Sequence, residues 1–105
     1  MSKDDKRLAM LEQLTQSEQA DSFAWYGLAM EYRKRERWDD ALAAFTSLRQ
    51  RDPSYVAMYL MAGQMLAGQG REEDAREWLE AGVARAREAG NSHALGELQD
   101  ALAEL

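Results

Sequence analysis

The sequence has no cysteine and no isoleucine, one proline and one histidine. Without cysteine there is no disulfide, no thiolate metal site and no cysteine nucleophile, and the composition suits a reducing compartment. β-Branched residues stop at Val56, Val83, Thr15 and Thr46. No alternating apolar run reaches strand length, so the sequence argues against a sheet. No stretch approaches the ~20 apolar residues that cross a bilayer, and Met1–Arg7 lacks the apolar core of a secretory leader. A soluble, cytosolic (cytoplasmic) protein without membrane contact is expected. Basic residues are outnumbered, 13 Lys and Arg against 19 Asp and Glu, for a net charge of −6. That balance opposes the phosphate attraction on which nucleic-acid binders rely, so nucleic acid is not an expected partner. Nor is there a serine in a nucleophile-elbow setting, and an enzyme is not expected.

What remains is 105 residues, 46% hydrophobic and 30% charged, the size of one domain. Helix formers dominate, which predicts an all-α fold. Ser22, residues 35–38, Asp52-Pro53-Ser54, Gly68-Gln69-Gly70 and Gly90-Asn91-Ser92 punctuate the chain. They predict six helices, at about 3–17, 22–35, 38–51, 55–68, 72–89 and 92–104. Apolar stripes at helical spacing support four of them directly: Leu8, Leu11 and Leu14; Trp25, Leu28, Ala29 and Tyr32; Ala41, Leu42, Phe45 and Leu48; Leu95, Leu98, Leu102 and Leu105. Connections this short make sequential helices antiparallel.

The chain also repeats itself, 22–55 being echoed by 56–89. Laying the first segment over the second pairs Trp25 with Tyr59, Leu28 with Ala62, Ala29 with Gly63, Tyr32 with Leu66, Arg37 with Arg71, Asp40 with Asp74, Ala41 with Ala75 and Phe45 with Leu79. Small residues recur where two helices of a hairpin would approach closely, and large ones where they would fill the adjoining holes. The pattern Trp25, Leu28, Ala29, Tyr32, Ala41, Phe45 and Pro53 resembles the tetratricopeptide repeat family. The second copy follows it at Tyr59, Gly63, Leu66, Gly70, Ala75 and Leu79, and departs from it at Ala62, Glu72, Gly82 and Arg87. The resemblance implies an antiparallel helix-hairpin repeat stack forming one domain over 1–105. Its parts would be an N-terminal capping half-repeat (1–21), repeat one (22–55), repeat two (56–89) and a C-terminal capping helix (90–105). One period before Phe45 and Leu48 stand Leu11 and Leu14, with Arg7 where the hairpins carry a small residue.

Four features suggest chemistry and have simpler explanations. His93 shares a helix face with Glu97 and Asp100, but it follows a good N-cap pair and reads first as a solvated first-turn residue. Glu72, Glu73 and Asp74 open a helix, where negative charge favours the dipole. Gly68-Gln69-Gly70 lacks the following Lys-Ser/Thr of a phosphate cradle and reads as a turn. Met30, Met58, Met61 and Met65 read as adaptable core filling, with a permissive binding surface as the alternative. No metal and no cofactor are expected.

The resemblance implies that the first helix of each repeat lines a concave groove. Transferred to this chain, the groove positions are Phe23, Tyr26, Met30, Arg33 and Lys34, then Ala57, Leu60, Gln64 and Ala67. Phe23, Tyr26, Met30, Arg33, Lys34, Leu60 and Gln64 are the expected contacts to a peptide or helix of a partner protein. Arg33 and Lys34 either form a basic rim or simply suit a helix C-terminus. The family's two-carboxylate clamp, built on Lys and Asn, is not reproduced, since those positions hold Tyr26, Met30 and Arg33. The expected function is a protein-interaction scaffold. The alternative is a structural role by homo-oligomerisation, a homodimer for instance, through the end faces of the stack.

Overall fold

The computed structural model describes residues 2–105; Met1, the first residue of the expected N-terminal cap, lies outside them. Among the described residues there are six helices and no strand: α1 (Lys3–Leu14), α2 (Ser22–Lys34), α3 (Trp38–Arg51), α4 (Val56–Gly68), α5 (Glu72–Ala89) and α6 (Ser92–Ala103). They fall into two compact units, the first ending at Asp52 and the second running from Pro53 to Leu105. In the first, α2 packs on α3 and on α1; in the second, α4 packs on α5, and α6 on both.

Five of the six helices agree with the expected boundaries to within one residue at each end. The first ends three residues early, at Leu14 rather than at 17. The next residue, Thr15, donates its buried hydroxyl back to the carbonyls of Leu11 (2.9 Å) and Glu12 (3.1 Å). The chain then turns through Ser17 before Asp21 caps α2, accepting from the Ala24 N–H at 2.8 Å.

Three helices end in one geometry. The N–H of Arg37, Arg71 and Asn91 donates back to the carbonyl of Tyr32, Leu66 and Ala86, at 2.9, 3.0 and 2.9 Å. Such a closure needs a left-handed residue just before the donor. Those residues are Glu36 (φ 61°), Gly70 (φ 76°) and Gly90 (φ 66°). Gly90 sets the end of α5, which runs on to Ala89 because no proline interrupts it. Each hairpin's second helix also opens on one repeated ion pair, Arg37 Nε to Asp40 Oδ2 at 2.9 Å and Arg71 Nε to Asp74 Oδ2 at 3.0 Å.

The expected small-residue contacts are present. Ala29, Ala41 and Ala75 are fully buried, and a Cβ on Gly63 would stand 2.5 Å from Leu79 Cδ2. Phe45, Leu48, Tyr59, Leu66 and Leu79 fill the space around them with no exposed surface or almost none. Gly82, a departure from the repeat pattern, has its own reason. A Cβ there would lie 2.6 Å from the Cβ of Tyr59 and 2.8 Å from Cδ2 of Leu98, so its bareness lets α4 and α6 both close on α5. Met58 and Met65 are core, whereas Met30 and Met61 are half-buried.

Candidate functional site

Each unit carries its own open surface, built on a first helix of a repeat. In the second unit, the expected contact positions on α4 border α6. Leu60 lines a cavity of about 290 Å³ together with Ala57, Met61, Ala94 and Leu98. Gln64 and Ala67 line a second, of about 340 Å³, with Ala101 and Leu105. Leu60 is half-buried and Gln64 exposed, so this side of α4 is an apolar shelf with an amide on it. His93 stands at the rim of the first cavity, its side chain 88% exposed and its Nε2 3.1 Å from Glu97 Oε1. Among the described residues, no three His, Cys, Asp or Glu side chains converge as metal ligands would.

In the first unit, Tyr26, Met30 and Arg33 are half-buried on α2 and Lys34 is exposed. Arg33 and Lys34 fall in the last turn of α2, where cations favour the helix dipole. Lys34 Nζ reaches Asp4 Oδ1 at 3.7 Å with both groups well exposed, a pairing of little energetic weight. Phe23 lies elsewhere. It is 73% exposed and faces α1 across a cavity of about 700 Å³, lined also by Arg7, Met10, Leu11, Leu14 and Asp21. Leu14, which the α1 stripe directs into the core, is instead 50% exposed on this surface, beside Met10 at 53%. The stripe ends with the helix: Thr15 takes the buried place at its last turn, and Leu14 is left facing outward.

The other edge of α1 is polar. Glu31, only 5% exposed as a side chain, sits between Arg35 Nε (3.4 Å) and Arg7 Nε (3.7 Å). Arg35 also pairs with Asp5 at 3.2 Å. The Tyr32 hydroxyl donates to Glu12 Oε2 at 2.6 Å. Burial, and then the bond to Glu12 and its charge, push the Tyr32 phenol up to about 12. Hydrogen bonding to Ser2 and to Arg35 holds Asp5 below the usual carboxylate value. Sequence reasoning missed this polar clamp; its one visible signal was the charge alternation of residues 3–7 and 31–37.

Among the described residues, no helix is long and apolar enough to cross a membrane. Residues 26–92 match the model of the tetratricopeptide repeat family. A tetratricopeptide repeat domain protein from Salinibacter ruber, solved as a crystal structure, is 38% identical over 80% of this chain and 93% of its own, with a TM-score of 0.74. The solution structure of a tetratricopeptide repeat domain protein from the same organism gives 36% identity, 84% and 89% coverage, and a TM-score of 0.76. A protein from Bordetella parapertussis is 28% identical over 99% of this chain and 87% of its own, with a TM-score of 0.79. No curated protein matches. Two hairpins in sequence register, small residues at their close contacts and these likenesses converge: the chain belongs to the tetratricopeptide repeat family, a family of general protein-interaction modules.

Proposed function

We propose that this protein is a non-catalytic scaffold that binds a peptide or helix of a partner protein on the first-helix faces of its repeats. The observation that carries the proposal is the shelf on α4, where Leu60 and Gln64 border two cavities of about 290 and 340 Å³. Hollows of that size accept single side chains, and the exposed Gln64 amide is available to the ligand's backbone. Tyr26, Met30, Arg33 and Lys34 on α2 are the matching contacts in the first repeat. An aromatic, a methionine and an arginine are the residue types that concentrate binding energy, and the two cations would favour an acidic flank on the ligand.

The test is capture from native cell extract by wild type and by a Tyr26→Ala/Met30→Ala/Leu60→Ala variant, each first shown to be folded by its helicity and melting. A protein held by wild type and lost from the variant is the expected result. Equal capture by both, or capture of nothing, refutes the proposal.

A further inference from the structure

We infer that the cleft between α4 and α6 takes a basic amphipathic helix of a partner protein, one that carries a large apolar residue and a Lys or Arg seven residues apart. This rests on the reading of α4 as a partner-binding shelf and names the chemistry of what lies there.

The cleft repeats itself. α4 and α6 pack on each other, and they run the same way, since one cavity joins their N-terminal halves and the other their C-terminal halves. On α4, Ala57, Leu60 and Met61 line the first cavity, and Gln64, Ala67 and Gly68, each seven residues further on, line the second. On α6 the same step leads from Ala94, Glu97 and Leu98 to Ala101, Glu104 and Leu105. The cavities are therefore one register position set down twice, two helical turns or about 10 Å apart.

That period selects the occupant. Residues seven apart in a helix share a face and lie about 10 Å from each other. Same-face residues of a strand fall at about 7 and 13 Å, out of step with the cleft. A polyproline segment docks against aromatic rings, and among the described residues no Phe, Tyr or Trp lines either cavity. A groove between two parallel helices, with alanine at 57, 67, 94 and 101, admits a third helix closely.

The charge of the cleft sets the charge of the ligand. Neither α4 nor α6 contains Lys or Arg. From Pro53 onward there are four arginines, all at or within α5, against nine acids. Glu97 has the His93 imidazole at 3.1 Å, but Glu104, exposed on the wall of the second cavity, pairs with no cation among the described residues. The two cavities differ accordingly. Leu60, Met61 and Leu98 suit the first to a large apolar side chain. Glu104 and Gln64, beside Leu79 and Leu105, suit the second to a Lys or Arg, with its stem on the leucines and its head group on the carboxylate.

The experiment is selection, against the full chain, of phage-displayed random peptides of about fifteen residues, four helical turns. Enriched sequences should carry a large apolar residue and a Lys or Arg seven apart. A synthetic peptide of the most enriched sequence should bind Leu60→Ala at least about tenfold more weakly than wild type and Glu104→Gln about threefold to tenfold more weakly. Added salt should remove the difference between Glu104→Gln and wild type. Selection against Glu97→Lys/Glu104→Lys should place Asp or Glu where the basic residue stood. Helicity and melting are checked for every variant; if Leu60→Ala fails to fold, the exposed Glu104→Gln and the charge reversal carry the test. Peptides that are lost from Leu60→Ala but lack the basic residue or its spacing, or that bind Glu104→Gln as well as wild type, overturn the inference and leave the partner-binding reading of α4 standing. No enrichment, or peptides held equally by Leu60→Ala, overturns both.

Discussion

The two units use the same hairpin and finish it in opposite ways. In the second, α6 is held by apolar contact: Leu98 is wholly buried and reaches α5 at a glycine, where the backbone comes closest. In the first, α1 buries Leu8 and Leu11 and is otherwise fastened to α2 by Arg7–Glu31, Asp5–Arg35, Lys34–Asp4 and Glu12–Tyr32. Exposed ion pairs add little to stability, whereas burial of a leucine contributes about 1.5–3 kcal/mol. Leucine burial therefore anchors both helices; α6 packs on α4 and α5 together, whereas α1 packs on α2, adds polar pairs along one side and leaves an apolar groove open along the other.

The contrast between the edges breaks most forcefully at α6. Leu98→Ala should cost about 2–5 kcal/mol, read as a fall in the denaturant midpoint, while Leu14→Ala, the same change on the open face of α1, should cost a small fraction of that. Gly82→Ala comes next. The added methyl meets the Cβ of Tyr59 within 2.6 Å, a point that cannot swing aside, so overpacking should cost about 1–3 kcal/mol despite the gain in helix propensity. The same denaturant midpoint measures it.

Smaller effects come from a turn the two units share. Residue 36 and residue 70 take the same left-handed conformation, the first as Glu with φ 61° and the second as Gly with φ 76°. Glu36→Gly should therefore stabilise by about 0.5–1 kcal/mol, and Gly70→Glu should destabilise by about as much. Thermal melts of the two variants check the pair.

The smallest effect is pH-dependent and confined to α1. The Tyr32 phenol has a folded-state pKa raised to about 12, so its stabilising contribution is complete below the unfolded value near 10 and drains away as pH rises from there. Asp5 is shifted the other way; its contribution is complete above the ordinary carboxylate value and fades as pH falls through it. NMR signals of α1 should broaden or shift at both extremes before those of α6 do.

Much of this was legible in the sequence, because the repeat fixes both the hairpins and their close contacts. Ala29 pairs with Gly63 and Ala41 with Ala75 on sequence register alone, and turn residues marked nearly every helix end. What escaped were features without periodicity. Thr15, its hydroxyl bonded back to Leu11, takes the buried place that follows Leu8 and Leu11, and Leu14 stays outward. Glu31 looked like a surface acid until Arg7 and Arg35 were seen on either side of it. Gly82 looked like a lapse in the pattern because its partner, Leu98, lies outside the repeat that contains it. Of the expected contact residues, Phe23 sits on α2 as anticipated but faces α1, since position 23 lies on the same side of its helix as Gly27, where α1 comes closest through Leu11.

The difference between the two edges is tested most directly by amide hydrogen exchange of the dilute full chain at low and high salt. The amides of α1 should open at a lower free energy than those of α6, and added salt should lower the protection of α1 while leaving α6 unchanged. Equal protection of the two helices, or a loss at α6 that matches the loss at α1, would contradict an α1 that leans on ion pairs more than α6 does.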